Sequence, residues 1–181
     1  RHIPEDAFLD KANLDLDGPP QVHITSAPLF SSDECDRMIE AAEREGSGLP
    51  STKSGKYRIG KAWVNEMPTV LEWFNTQLKR KLFPTLAALF PNLVSSQSAL
   101  RAHTVAILKY NASHPATDIH VDDALLAFTI ALSPSSAFEG GGTFFESLGS
   151  VLPMEQGMVT FRPGAVRHAG HAVTSGLRYV L

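Results

Sequence analysis

Apolar positions in SSDECDRMIEAAEREGSG, residues 31–48, recur at helical spacing. Cys35, Met38, Ile39 and Ala42 fall at i, i+3, i+4 and i+7 and form one stripe, which predicts an amphipathic helix. Its ends are marked in the sequence. Ser31 or Ser32 suits the N-cap, acidic residues follow in the first turn, and Gly46 or Gly48 supplies the stop. Cys35 on this stripe reads as an inert core thiol. A second stripe, Val70, Leu71, Phe74, Leu78 and Leu82, runs through residues 67–91 and predicts a helix in two pieces broken at Pro84. These helices are expected to cover one face of a sheet. Before them, VHITSAPLF at 22–30 has strand character, and residues 1–20 read as a polar arm ending in Gly-Pro-Pro.

From Ala99 the period shortens. Strand patterns occupy 100–112, 117–122, 124–133, 142–147, 157–162 and 165–181, divided by SPSS, EGGG and RPG turns. Gly140, Gly141 and Gly142 mark a turn needing positive φ or close backbone approach. Short, evenly spaced strands without helices between them predict an antiparallel sandwich or barrel. The expected class is mainly β with N-terminal helices, as a double-stranded β-helix (a cupin-like jelly roll). Residues 21–181 are expected to form one domain, with helical support at 31–91 and the jelly-roll core at 99–181. Between the helices, LPSTKSGKYRIGKAWVNE (49–66) is Gly- and Ser-rich and carries Lys53, Lys56, Arg58 and Lys61. It reads either as a solvated hairpin or as a loop closing over a ligand, and Trp63 either packs or lines a groove.

Composition narrows the classes. A chain of 181 residues, 43% hydrophobic and 19% charged, can bury a sizeable core. A net charge of −3 and the lack of a basic stripe argue against a nucleic-acid partner. One cysteine excludes an internal disulfide framework. No apolar run approaches the roughly 20 residues of a membrane span. The first residue is not Met and the last closes an apolar run, so a segment of a longer protein is expected, and no compartment is read from its ends.

The candidate chemistry centres on His120-Val121-Asp122 in TDIHVDDALLAFTIALS. On a strand, side chains at i and i+2 share a face about 7 Å apart along the chain. His120 and Asp122 can then aim at one ion while Val121 points into the opposite packing layer. His168 follows 46 positions after Asp122. Two histidines and a carboxylate can take one triangular face of an octahedral metal and leave the other positions open, the arrangement of non-haem Fe(II) oxygenases. Metal-bound histidines are expected to donate their remaining N–H to a carbonyl, a carboxylate or water. Arg178 lies in an otherwise apolar strand, GLRYVL, where a guanidinium is costly unless paired; a carboxylate ligand pairs it bidentately. Thr129, on the strand after the first arm of the triad, is expected to face the same pocket and offer its hydroxyl.

The segments LKYN (108–111), HVD (120–122), FEGGGTFF (138–145), PMEQGMVTFRPG (153–164) and RHAGHAVTSGLRYVL (167–181) resemble those of 2-oxoglutarate- and Fe(II)-dependent dioxygenases. The resemblance is to the branch containing prolyl 4-hydroxylases and procollagen lysyl hydroxylases. It covers roughly residues 22–181 and is specific from Ile107 onward. It implies a jelly roll with iron at one mouth, held by His120, Asp122 and His168. Arg178, ten positions after His168, matches the family's partner for the C5 carboxylate of 2-oxoglutarate. That offset selects His168 over His171, which is left at the pocket rim. Tyr110 matches the tyrosine that helps hold the same carboxylate. The implied cofactors are Fe(II), 2-oxoglutarate as co-substrate, O2 and ascorbate, and the implied reaction is hydroxylation with release of succinate and CO2. The implied partner is a peptide or protein, with proline the expected target and lysine next. His171-Ala172 stands where prolyl hydroxylases often carry Pro. The competing readings are an oxygenase of a small molecule or an alkylated nucleobase, and a non-catalytic jelly-roll binding module.

Overall fold

The computed structural model describes residues 22–50 and 59–181. The expected arm at 1–20 and the part of the basic loop with Lys53, Lys56 and Arg58 lie outside the described residues. In chain order the elements are β1 (His23–Ile24), α1 (Ser32–Glu45), β2 (Gly60–Trp63), α2 (Pro68–Gln77), α3 (Phe83–Leu89), β3 (Ala106–Tyr110), β4 (Leu126–Ile130), β5 (Phe138–Gly140), β6 (Thr143–Phe145), β7 (Ser150–Leu152), β8 (Val159–Pro163), β9 (His168–Gly170), β10 (Val173–Gly176) and β11 (Arg178–Val180).

The strands form two antiparallel layers. In the larger, β1-β8-β4 and β11-β3-β2 are joined where Ala131 bridges Val180 and Ile130 exchanges hydrogen bonds with Leu181. In the smaller, β7-β6-β9 is extended by residues 117–122, which bond to Gly170, His168 and Gly164. The β5-β10 pair continues this layer through the Gly141–Ala172 and His171–Gly142 bonds. This is the expected double-stranded β-helix. The Gly140–Gly142 turn has φ of 73°, 67° and 92°, as the three glycines predicted.

The helices cover the larger layer. Helix α1 starts at a capping box: Glu34 N–H donates to Ser31 Oγ, and Ser31 N–H donates to Glu34 Oε2. It stops at Gly46. Cys35, Met38, Ala41 and Ala42 are its buried face. With α2 and α3 they share one apolar cluster with Ile107, Ile130, Val159 and Phe161 of the sheet. Burial pushes the Cys35 thiol up to about 12, so it is an inert core group. A polar tie fixes the α1–sheet contact, because Lys109 Nζ (2.8 Å) and the Tyr179 hydroxyl (2.6 Å) both donate to Glu43 Oε1.

Four local expectations are corrected. Residues 22–30 are strand only at His23–Ile24, because Thr25 already bonds back to Val159 and the chain turns to meet Gly157. Residues 67–89 do not break at Pro84. Instead Leu78–Leu82 widens into a π-turn, with Phe83 N–H donating to Leu78 O, and Pro84 enters in the first turn of α3. The wider turn accommodates a ring that would clash with the carbonyl four residues back. Residues 117–122 are an extended edge segment with one bridge, His120 to His168, rather than a regular strand. Val121 is 47% exposed, not buried in an opposite layer, since no described element covers the outer side of that edge. Trp63 lines a groove of about 880 Å³ with Phe74, Leu78 and Phe83, and Lys61 Nζ lies 3.6 Å over its ring.

Candidate active site

Backbone pairing brings the triad together. His120 and His168 exchange N–H···O bonds of 2.9 Å in each direction, so they stand directly opposite on an antiparallel pair and their side chains share a face. Their ring centroids are 4.4 Å apart. Asp122 N–H donates to Gly164 O at 2.9 Å, and the side chain two residues after His120 returns to the same face. One ligand atom from each of His120, Asp122 and His168 lies within 4.8 Å of the others, the one such group among the described residues. His171 is exposed and outside it.

The tautomers follow from the acceptors. His120 Nδ1 is 2.7 Å from Asp118 O, and His168 Nδ1 is 3.0 Å from Val166 O. A carbonyl can only accept, so both Nδ1 atoms carry a proton, which leaves Nε2 as the lone-pair nitrogen of each ring in its neutral form. Each contact is to the carbonyl two residues earlier, an arrangement that fixes tautomer and ring orientation for metal ligation. Burial, and then the neighbouring Arg162 charge, push His168 down to about 4, so its imidazole is neutral near pH 7. Phe145 stacks on it with centroids 6.0 Å apart. Two imidazoles and a carboxylate fit a divalent metal such as Fe(II) by their donor set.

Arg162 on β8 is part of this cluster and was not singled out from the sequence. It is 3% exposed. Nη2 donates to Asp122 Oδ2 at 2.8 Å and contacts His168 Nε2 at 3.0 Å, while Nη1 donates to Thr129 Oγ1 at 3.0 Å. Thr129 therefore does face the triad region, as an acceptor for Arg162. The signal was present in MVTFRP, a lone arginine in an apolar run, by the same reasoning that marks Arg178.

Arg178 sits on β11 opposite Tyr110 of β3. Its Cζ is 5.1 Å from the Tyr110 ring centroid, and Nη2 reaches Thr143 Oγ1 at 3.4 Å. It is 4% exposed and has no carboxylate partner among the described residues. Burial pushes the Tyr110 phenol up and the Arg178 guanidinium down, and each moderates the other. Tyr110 is wedged against the backbone of β9: a Cβ at Gly170 would stand 2.6 Å from its hydroxyl. A cavity of about 300 Å³ reaches Arg178 beside the Gly140–Gly142 turn. The structure thus brings His120, Asp122, His168, Thr129 and Arg162 into one cluster and Tyr110 and Arg178 into another. The two are close enough that Tyr110 feels the charge of both arginines.

No family model and no curated protein matches the sequence. Solved structures do. The viral collagen prolyl hydroxylase of Paramecium Bursaria Chlorella virus-1, in its 2-oxoglutarate complex, is 19% identical at a TM-score of 0.61, over 88% of this chain and 92% of that one. The non-haem α-ketoglutarate-dependent carbocyclase SnoK of nogalamycin biosynthesis is 15% identical at 0.66, over 96% and 83%. A Pseudomonas putida prolyl-4-hydroxylase is 12% identical at 0.64, over 88% of each. Identities this low speak to architecture alone, and the chain shares the fold of these proteins.

Proposed function

We propose that this chain is an Fe(II)- and 2-oxoglutarate-dependent dioxygenase that hydroxylates a peptidyl residue, proline before lysine, with residues 21–181 as its catalytic domain. The observation that carries this reading is the His120–Asp122–His168 cluster, with one ligand atom of each within 4.8 Å of the others and both imidazoles oriented by carbonyls at Nδ1. These three residues would hold the iron. When bound, the iron supplies the oxygen chemistry: one atom of O2 enters a substrate C–H bond as hydroxyl, and the other enters succinate as 2-oxoglutarate loses CO2. Ascorbate would keep the metal reduced.

The chain's own residues bind and orient. Arg178, buried with only hydroxyl and ring partners, pairs with the C5 carboxylate of 2-oxoglutarate and sets the depth of the co-substrate. Tyr110 flanks that carboxylate and offers its hydroxyl. Thr129 holds Arg162 against the metal-binding carboxylate. His171 takes no part in ligation. Two solved prolyl hydroxylases among the structural neighbours support a peptide substrate. The likeness to SnoK, equally good in fold, supports a small-molecule substrate as the second reading. Nucleic acid is disfavoured by the net charge of −3.

The test is succinate release from 2-oxoglutarate with Fe(II) and ascorbate, over proline-rich, lysine-containing and unrelated peptides, beside a no-peptide control. Stimulation by the proline-rich class supports the favoured reading. Background turnover alone moves the substrate to a small molecule, and no succinate from metal-loaded protein overturns the oxygenase reading.

A further inference from the structure

Arg162 is bonded to two of the three groups that would ligate a metal. Its Nη2 donates to Asp122 Oδ2 and to the Nε2 lone pair of His168. That imidazole has a single lone pair, because Nδ1–H is committed to Val166 O. A lone pair cannot accept from Arg162 and coordinate a metal at once. Asp122 differs: a carboxylate has two oxygens, so one can keep Arg162 while the other ligates. Metal binding must therefore detach the guanidinium from His168 and leave it on Asp122.

Charge adds to this competition. The Asp122 carboxylate is already set against Arg162, so a divalent ion brings two further positive charges beside a guanidinium that is 3% exposed. A carboxylate arriving with the metal relieves both problems. It balances the charge and accepts from the freed Nη2. A further donor waits, because Arg162 Nε is fully buried and has no hydrogen-bond partner. Nε and Nη2 form the edge of the planar fork that matches a carboxylate bidentately.

Building on the reading above, we propose that Arg162 makes metal and co-substrate binding mutually dependent: it opposes metal at the triad alone and favours it when the co-substrate's metal-proximal carboxylate is present. The dicarboxylate then meets an arginine at each end, Arg162 at the metal and Arg178 at the far carboxylate. Arg162 acts here as a positioning residue through Asp122 and the co-substrate.

The experiment is calorimetric titration of Mn(II), which binds without turnover, into the protein with and without saturating 2-oxoglutarate. In the wild type, 2-oxoglutarate should tighten Mn(II) by about 10-fold or more, within the usual span of site-to-site coupling. Arg162→Gln removes the charge but keeps a planar polar group near the position of Nε. It should bind Mn(II) alone about 3- to 10-fold more tightly than the wild type, and the tightening by 2-oxoglutarate should fall below about threefold. Arg162→Lys keeps the charge without the fork. Its Mn(II) affinity alone should match the wild type, with the coupling reduced. Unchanged coupling in Arg162→Gln, or weaker Mn(II) binding by that variant alone, overturns the inference. A wild type that binds neither Mn(II) nor 2-oxoglutarate overturns the oxygenase reading instead, so the two failures are distinct. Circular dichroism on each variant confirms the fold, and Thr129→Val, which removes one of the partners holding Arg162 in place, should show a smaller shift in the same direction.

Discussion

Two arginines are buried in the candidate site, and their partners differ. Arg162 is surrounded by an internal carboxylate, an imidazole and a hydroxyl. Arg178 has a phenol ring and a distant hydroxyl. Both are under 5% exposed. A buried guanidinium is stable only when its charge is met. At the triad end that is done within the chain. At Arg178 no carboxylate among the described residues does so, and the proposed co-substrate would.

The comparison breaks first at the triad. His168→Ala should lower succinate formation by more than about 100-fold, while His171→Ala stays within about twofold, since even outer contacts of metal ligands cost 10- to 100-fold. Equal losses in the two variants would undo the ligand assignment. The arginines come next. Arg178→Met should raise the 2-oxoglutarate concentration for half-maximal rate about 10- to 100-fold, because charge-assisted hydrogen bonds contribute about 1.5–3 kcal/mol. It should leave thermal stability unchanged or raised, as it strands no internal carboxylate. Arg162→Met should instead cost about 1–2 kcal/mol in denaturant unfolding, because the ion pair with Asp122 is lost.

Acidity gives a smaller effect at the same end. His168 is held near 4 in the folded chain, against an unfolded value of about 6.5. The unfolded state binds more protons between those values, so the stability of chelator-treated protein should be full above about pH 6.5 and fall as pH drops toward 4. The loss should be on the order of 1–3 kcal/mol, and His168→Gln should flatten it. Smallest is the helical layer, remote from both arginines. Ser31→Ala removes one half of the capping box and should cost about 1 kcal/mol, with activity unchanged.

Much of this was legible in the chain. Helix α1 was marked at both ends by local chemistry, Ser31 with Glu34 and then Gly46, and local chemistry is what a sequence states openly. The convergence of His120, Asp122 and His168 was legible through spacing and family likeness, and the burial of Arg178 through the apolar run around it. The partnering of Arg162 was not. It depends on β8 pairing with β4 and on Gly164 drawing Asp122 in, and both are long-range events. Val121 was misplaced for a related reason. Alternation says which residues share a face, not whether another layer lies over that face. At Pro84 the residue was a true signal, but the response was a widened turn just before it, at Leu78–Leu82, rather than a break.

The most direct measurement is calorimetric binding of 2-oxoglutarate to Mn(II)-loaded protein, wild type beside Arg178→Met and His168→Ala. One site in the wild type, weakened at least about tenfold by either substitution, is the result expected if a metal at the triad and a cation at the far end hold one co-substrate between them. Binding that needs no metal and is indifferent to Arg178 would contradict the account at its centre.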